Sequence, residues 1–329
     1  MRLIKLMIKH SKSTFLLCLR NLIFGLLGSG IATAHASSWM LLSPATFPTP
    51  RSYVAMTYDA ASQKTVLFGG YNGSGYLNDT WIFDGSAWTK VKTRTAPPAR
   101  ANAQMAYDIP TQRVVLFGGY NGRKYLGDTW LWDGATLTWT QATPLHSPPA
   151  VTGPMLFTDP NGRVDEFGGF DGNRYQGTMW RWRASDWRSV HPAMVPYARS
   201  SAAVAVNPLL NQVVMFGGLA DVNPVNTWTY DGTTWTMQPV NQPPWVYAGS
   251  AAFDSNLQRV ILFGGGSGGI DQNITWSWTG LHWRQLFPMH SATPREGAGM
   301  AYDPGLGHVI LFGGQNRDLL LNDTWEFVP

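Results

Sequence analysis

Residues 64–88 read KTVLFGGYNGSGYLNDTWIFDGSAW, and residues 113–139 read RVVLFGGYNGRKYLGDTWLWDGATLTW. In both, an apolar run ends in Phe-Gly-Gly and a polar loop with a Tyr follows. Asp-Thr-Trp then opens a second apolar run, and Asp-Gly turns the chain into a third run that carries another Trp. Phe-Gly-Gly recurs at Phe68, Phe117, Phe167, Phe216, Phe263 and Phe312, at spacings of 47 to 50 residues. A Trp follows 12 or 13 residues after each: Trp81, Trp130, Trp180, Trp228, Trp276 and Trp325. A period near 50 marks a chain built from stacked copies of one supersecondary unit. Helical periodicity is absent, and Asp-Gly between apolar runs is a hairpin signal.

With the short stretch that precedes each Phe-Gly-Gly run (Tyr53–Tyr58 in the first copy), every unit holds four strands, the pattern of a propeller blade. The chain is therefore expected to be all-β, a six-bladed β-propeller over residues 37–329. The first Trp of each unit is expected to fill the wedge between neighbouring sheets. A second Trp (Trp88, Trp139, Trp187, Trp235, Trp283) opens the fourth strand, but the last unit stops at Pro329 without one. Trp39 stands 12 residues before Arg51, as Trp88 stands 12 before Arg100. The N-terminal segment is thus expected to supply the outer strand of the sixth blade and close the ring, which removes an open sheet edge.

Residues 1–36 read as a secretory signal peptide. Arg2, Lys5, Lys9 and Lys12 give a basic start, Leu22–Ile31 an apolar run, and Ala34-His35-Ala36 a small-residue cleavage site. The run is too short for a membrane span. Five of the 24 basic residues and none of the 20 acidic ones fall in this segment, so its removal takes the net charge from +4 to −1. The basic character then belongs to the leader and gives no support for nucleic-acid binding. Cys18 lies there too, which leaves the mature chain without disulfides, thiolate metal sites or a cysteine nucleophile. A secreted or periplasmic monomer with no membrane span in the mature chain is expected.

Gly69-Gly70…Tyr76…Asn78-Asp79-Thr80-Trp81…Trp88 and Gly118-Gly119…Tyr125…Asp128-Thr129-Trp130…Trp139 resemble the kelch motif, and the resemblance runs through the whole mature chain. Copies four and five depart from it, with Pro224 in a shortened loop and a Gly264–Gly269 run in place of the Tyr loop. The resemblance implies that the residue after each Gly-Gly and the residue opening each innermost strand face one mouth of a central channel. The first set is Tyr71, Tyr120, Phe170, Leu219, Gly266 and Gln315; the second is Arg51, Arg100, Arg199 and Arg295, with Val151 and Val246 in the other blades. Arg51, Arg100, Arg199, Arg295, Tyr71, Tyr120 and Phe170 are accordingly candidate ligand-binding residues. Arg grips carboxylates in a fork, and aromatic faces stack on sugars. The alternative is that these Arg pair with Asp79, Asp128 or Asp323 and hold the blades together.

The chain has three Glu: Glu166, Glu296 and Glu326. Glu326 reads as a solvated face residue. Glu296 follows Arg295 at the implied mouth, where the pair could work as acid and base on a sugar or form a simple salt pair. Asp165 and Glu166 replace the Val66-Leu67 of the first copy inside a strand that should be buried, and Arg181 and Arg183 sit in the next strand, so a compensating polar patch in blade 3 is expected. The histidines lack metal-ligand spacing, so no metal and no cofactor is expected. Among exported kelch propellers, one group resembles the bacterial periplasmic sialic-acid mutarotase. The reading is an exported non-catalytic module that binds a protein or glycan ligand at the channel mouth. Its alternative is a carbohydrate-active enzyme, a mutarotase or epimerase acting on an acidic sugar through Arg295 and Glu296.

Overall fold

The computed structural model describes residues 37–222 and 224–329; the segment read as a signal peptide lies outside them. Six four-stranded antiparallel sheets follow one another along the chain. Blade 1 runs Ala55–Asp59, Lys64–Phe68, Thr80–Phe83 and Trp88–Val91, and blades 2 to 5 repeat it. Blade 6 takes Gly299–Asp303, His308–Phe312 and Thr324–Val328 from the end of the chain and Ser38–Leu42 from its beginning. Ser38–Leu42 lies antiparallel to Thr324–Val328, with Trp39 opposite Phe327. No helix among the described residues is long and apolar enough to cross a membrane.

The sheets share no ladder hydrogen bonds, so the core is divided among six seams. Each seam holds one apolar cluster, contributed by the facing sides of two blades; Val66 and Phe68 of blade 1, for example, meet Met105, Val114 and Leu116 of blade 2. Both Trp of each unit pack into the seam clusters, as Trp130 and Trp139 do between blades 1 and 2, and the second is the more deeply buried. Trp39, Trp88, Trp139, Trp187 and Trp235 are at most 2% exposed. In five seams the indole N–H donates across to a threonine that opens the third strand of the preceding sheet: Trp39 to Thr275, Trp88 to Thr324, Trp139 to Thr80, Trp187 to Thr129, Trp283 to Thr227. In the sixth, Met179 stands where the threonine would be, and the Trp235 indole has no acceptor.

At the axis the blades are tied by their own backbone. The N–H of Tyr53 donates to Gly297 O (2.6 Å), Asn102 to Tyr53, Gly153 to Asn102, Ser201 to Gly153, Ala248 to Ser201 (each 2.8 Å), and Gly297 to Ala248 (2.9 Å). These bonds form a closed head-to-tail ring of six. All six residues have φ between +50° and +63°, a conformation that strains Tyr53, Ser201 and Ala248 and that the ring holds in place. Beyond it the first strands enclose a central channel of about 470 Å³, lined by residues such as Met56, Met105, Leu156, Val204 and Met300.

Blade 3 carries the polar patch. Arg181 forks onto Asp165 (2.7 Å twice) and also reaches Asp159 (2.8 Å) and the Tyr230 hydroxyl (3.2 Å) in blade 4. Burial pushes Asp165 up to about 6 against the pull of Arg181. Glu166 points to the other side, where its counterpart in blade 1 is Leu67. It is buried, neither oxygen has a partner, and burial raises its pKa well above the carboxylate range. The compensation expected for both acids therefore serves Asp165 alone. Arg183 is exposed.

Removal of residues 37–43 deletes a fully buried Trp and one strand of blade 6. Trp39→Ala alone should lower unfolding free energy by about 3–5 kcal/mol, and the deletion by more; an unchanged thermal midpoint would contradict the interlock. Glu166 takes up a proton on folding at any pH between its unfolded and folded pKa values, so its penalty grows as pH rises above the ordinary glutamate range. Glu166→Leu should stabilise the protein at pH 7 and less at pH 5, as read from urea unfolding at the two pH values.

Candidate functional site at the channel mouth

The Gly-Gly pairs build the mouth by letting backbones cross. A Cβ at Gly69 would lie 2.6 Å from Arg100 O, and one at Gly70 2.9 Å from Ser52 O. Both glycines have positive φ (+68° and +103°), which a side chain would strain as well. The crossing carbonyl is put to use: Gly70 N–H donates to Arg100 O at 2.9 Å, and the bond recurs around the ring. Each opener of an inner strand is thereby pinned against the neighbouring blade's Phe-Gly-Gly turn.

This pinning decides the fate of the arginines. Arg51 forks onto Asp79 (2.6 and 3.0 Å) and also donates to Gly69 O, Thr49 O and Thr49 Oγ1. Arg100 does the same with Asp128 (2.8 Å twice), and Arg295 with Asp323 (2.6 and 2.8 Å). Trp81, Trp130 and Trp325 donate their indole N–H to the same carboxylates. In blade 4 Arg199 donates to Tyr197 O and Gly217 O and has the neutral Asn226 (3.0 Å) in the carboxylate's place, and burial without a counter-charge pulls its guanidinium down to about 10. Where the Arg is absent, its partner is absent too: Val151 goes with Thr178 and Val246 with Ile274. Trp180 and Trp276 in those blades have no acceptor for their indole N–H.

Arg51, Arg100, Arg199 and Arg295 are at most 1% exposed and bonded internally, which corrects their expected role in lining the mouth for a ligand. The paired alternative is what the structure holds. Arg295 and Glu296 also part company, the first to Asp323 and the second to Tyr53 and Gln315, so they do not converge as an acid–base pair. Glu326, half-buried, pairs with His308 Nδ1 at 2.9 Å. Among the described residues no group of three or more His, Cys, Asp or Glu is placed to hold a metal ion.

Tyr71, Tyr120 and Phe170 do lie together, half-exposed, on the mouth. Each pairs across its loop with a second Tyr, and two of these, Tyr76 and Tyr125, pack against the ring of the next blade. The run is Tyr71–Tyr76 (5.3 Å), Tyr76–Tyr120 (5.7 Å), Tyr120–Tyr125 (5.1 Å), Tyr125–Phe170 (6.0 Å) and Phe170–Tyr175 (5.1 Å). Asn72, Asn121 and Asp171 cap the intervening loops by accepting two backbone N–H bonds each. The signal for the arc is in the sequence as an aromatic, Asn or Asp, Gly, two residues and Tyr, repeated in three consecutive units. Leu219, Gly266 and Gln315 break it in the other three.

Opposite the arc, Glu296 accepts hydrogen bonds from Tyr53 Oη (2.6 Å) and Gln315 Nε2 (2.9 Å), and Gln315 Oε1 accepts one from Ser52 Oγ (3.0 Å). Burial, then the bond to Glu296, raises the Tyr53 hydroxyl far above its usual range, and burial and the same carboxylate raise Tyr247. Neither Tyr53 nor Tyr247 stands out in the sequence. Each becomes visible only when the six inner-strand openings are set side by side.

The family model described as the KLHDC2/KLHL20/DRC7 Kelch-repeats domain matches residues 31–192. The six sheets, with Gly-Gly and Trp at the same station in each, extend that pattern through the remaining blades. The chain is a kelch-repeat β-propeller. No curated protein matches it at a significant level. Kelch propellers generally serve as protein-interaction scaffolds. The matched stretch of this one spans the three blades that carry the aromatic arc.

Blades 3 and 5 show how the kelch clamp can be dispensed with. Arg100→Val leaves Asp128 without its partner and should destabilise the propeller by about 3–5 kcal/mol. Arg100→Val combined with Asp128→Thr, the pair that blade 3 uses, should recover most of that loss. A double-mutant cycle in urea measures the coupling, and a near-zero value would show that the fork contributes nothing.

Proposed function

We propose that this kelch propeller is an exported, non-catalytic binding module that seats a protein or glycan partner on the mouth formed by its Gly-Gly loops. The observation that carries the reading is the arc of six half-exposed rings across blades 1 to 3. Rings that alternate tilted and edge-to-face contacts are already ordered, so a partner laid over them meets area without a large loss of side-chain freedom. The loops that hold them are stiffened by their Asx caps. Arg123, Lys124 and Arg174 stand exposed beside the arc and give it a positive rim. Tyr is favoured at binding hot spots because it joins a large apolar face to one polar atom, and the same face stacks on sugar rings.

Export rests on the basic, apolar and small-residue order of residues 1–36, and places the module in the periplasm or outside the cell.

Peptide display and a glycan array against the purified propeller test the reading. A binder selected in either format should lose at least tenfold in affinity, about 1.4 kcal/mol, when Tyr120 and Tyr125 are both changed to Ala. Leu209→Ala, at an exposed turn between the first two strands of blade 4, should leave it unchanged. Equal binding by the Tyr120→Ala/Tyr125→Ala variant would remove the arc from the function.

A further inference from the structure

Glu296 is the one charged residue at its station. The corresponding positions of the other blades hold Ser52, Ala101, Thr152, Ser200 and Tyr247. Its side chain is 7% exposed, and its two oxygens are treated unequally. Oε1 accepts from Tyr53 and Gln315, whereas Oε2 has no well-aligned donor, although the Tyr247 hydroxyl lies beside the same carboxylate. Among the described residues no Lys, Arg or His forms an ion pair with it, and the neighbouring Arg295 is turned to Asp323. Asp271 adds a second negative charge close enough to raise both Tyr53 and Tyr247. A buried carboxylate without a counter-ion is costly, and nothing in the fold requires one here, since five blades do without it.

The space around Oε2 is made by a glycine. Gly266 occupies the station where blades 1 to 3 carry Tyr71, Tyr120 and Phe170, and its φ is not positive, so backbone conformation does not demand it. Room does: a Cβ there would lie 2.3 Å from Glu296 Oε2 and 2.6 Å from Tyr247 Cζ. The Tyr247 ring, itself packed on Trp245 at 5.7 Å, lies beside that oxygen over Gly266. The sector thus combines a carboxylate oxygen without an aligned donor, a nearby aspartate and aromatic faces.

We infer that this sector, between blades 5, 6 and 1, is a subsite for an organic cation, the guanidinium or ammonium of an arginine or lysine side chain of the partner, with Glu296 as its anchor and Tyr247 beside it. The inference rests on the reading of the mouth as a binding surface. A planar or tetrahedral cation with N–H donors fills the free lone pairs and neutralises the buried charge, and the tyrosine faces add cation–π attraction. A bare hard cation is a poor fit, because it needs six or more oxygens and only one is open here. The opposite rim carries Arg123, Lys124 and Arg174, so a partner with a basic residue at one end is seated in one direction.

The test titrates the full mature propeller, labelled with 3-fluorotyrosine, with Nα-acetyl-arginine methylamide, the lysine analogue and the neutral citrulline analogue. Tyr53 and Tyr247 fluorine signals, assigned through Tyr53→Phe and Tyr247→Phe, report occupancy. A saturable shift with the arginine or lysine probe, at least tenfold weaker with citrulline, is the expected result. Glu296→Gln should weaken the cationic probe at least tenfold, and Gly266→Ala, which keeps the carboxylate but fills the space, should do the same. Thermal unfolding of both variants shows that they are folded. Absence of a saturable shift, equal binding of citrulline, or unchanged binding by folded Glu296→Gln or Gly266→Ala overturns the subsite. Because Tyr120 and Tyr125 take no part in this titration, its failure leaves arc-dependent binding standing, and loss of arc-dependent binding leaves the titration standing.

Discussion

Blades of a propeller are joined to one another by no sheet hydrogen bonds, so everything else depends on how the seams are held. Besides the Gly-Gly crossings at the mouth, this chain holds them at two radii. Close to the axis, six backbone N–H groups donate head to tail from Tyr53 round to Gly297 and close on themselves. Farther out, an indole N–H crosses each of five seams to a threonine. Both devices are directional and sit inside apolar surroundings, where an unmet donor is costly. They therefore set the relative position of two sheets whose apolar contacts alone would allow sliding.

The mouth is a by-product of that fixing. An inner strand must cross the previous Phe-Gly-Gly turn to reach the axis, and the crossing leaves no room for a Cβ. The Arg that opens the strand is buried by the same crossing and must find a carboxylate. Blades 1, 2 and 6 supply Asp, blade 4 supplies Asn, and blades 3 and 5 remove both partners together. A guanidinium and its acceptor behave as one unit here, as the energetics of buried ion pairs require. Function is left to what stands above the clamps: an aromatic arc on one side of the mouth and the Glu296 sector on the other.

Much of this was legible in the residues. The repeat length, the four strands per unit and the position of Trp39 follow from spacing alone, because each copy can be compared with five others. The same comparison exposes the Asp165-Glu166 anomaly and the aromatic loops. It does not reveal which of two tryptophans sends its indole N–H across a seam, since both stand in strands at regular stations. Nor does it tell a ligand-gripping Arg from a structural one. That difference lies in a carboxylate 28 residues away, and whether the two meet depends on the path of the chain between them.

By itself the sequence determined the architecture: repeated strands of fixed length with glycine pairs at fixed stations have one way to bury their apolar faces, in a ring. Tertiary structure decided the chemistry of the mouth. Tyr53, Tyr247, Gly266, Glu296 and Gln315 come from three different blades and are up to 262 residues apart, Tyr53 to Gln315. Only closure of the ring sets the first blade beside the last, and only then does a carboxylate acquire two donors on one oxygen and no aligned one on the other.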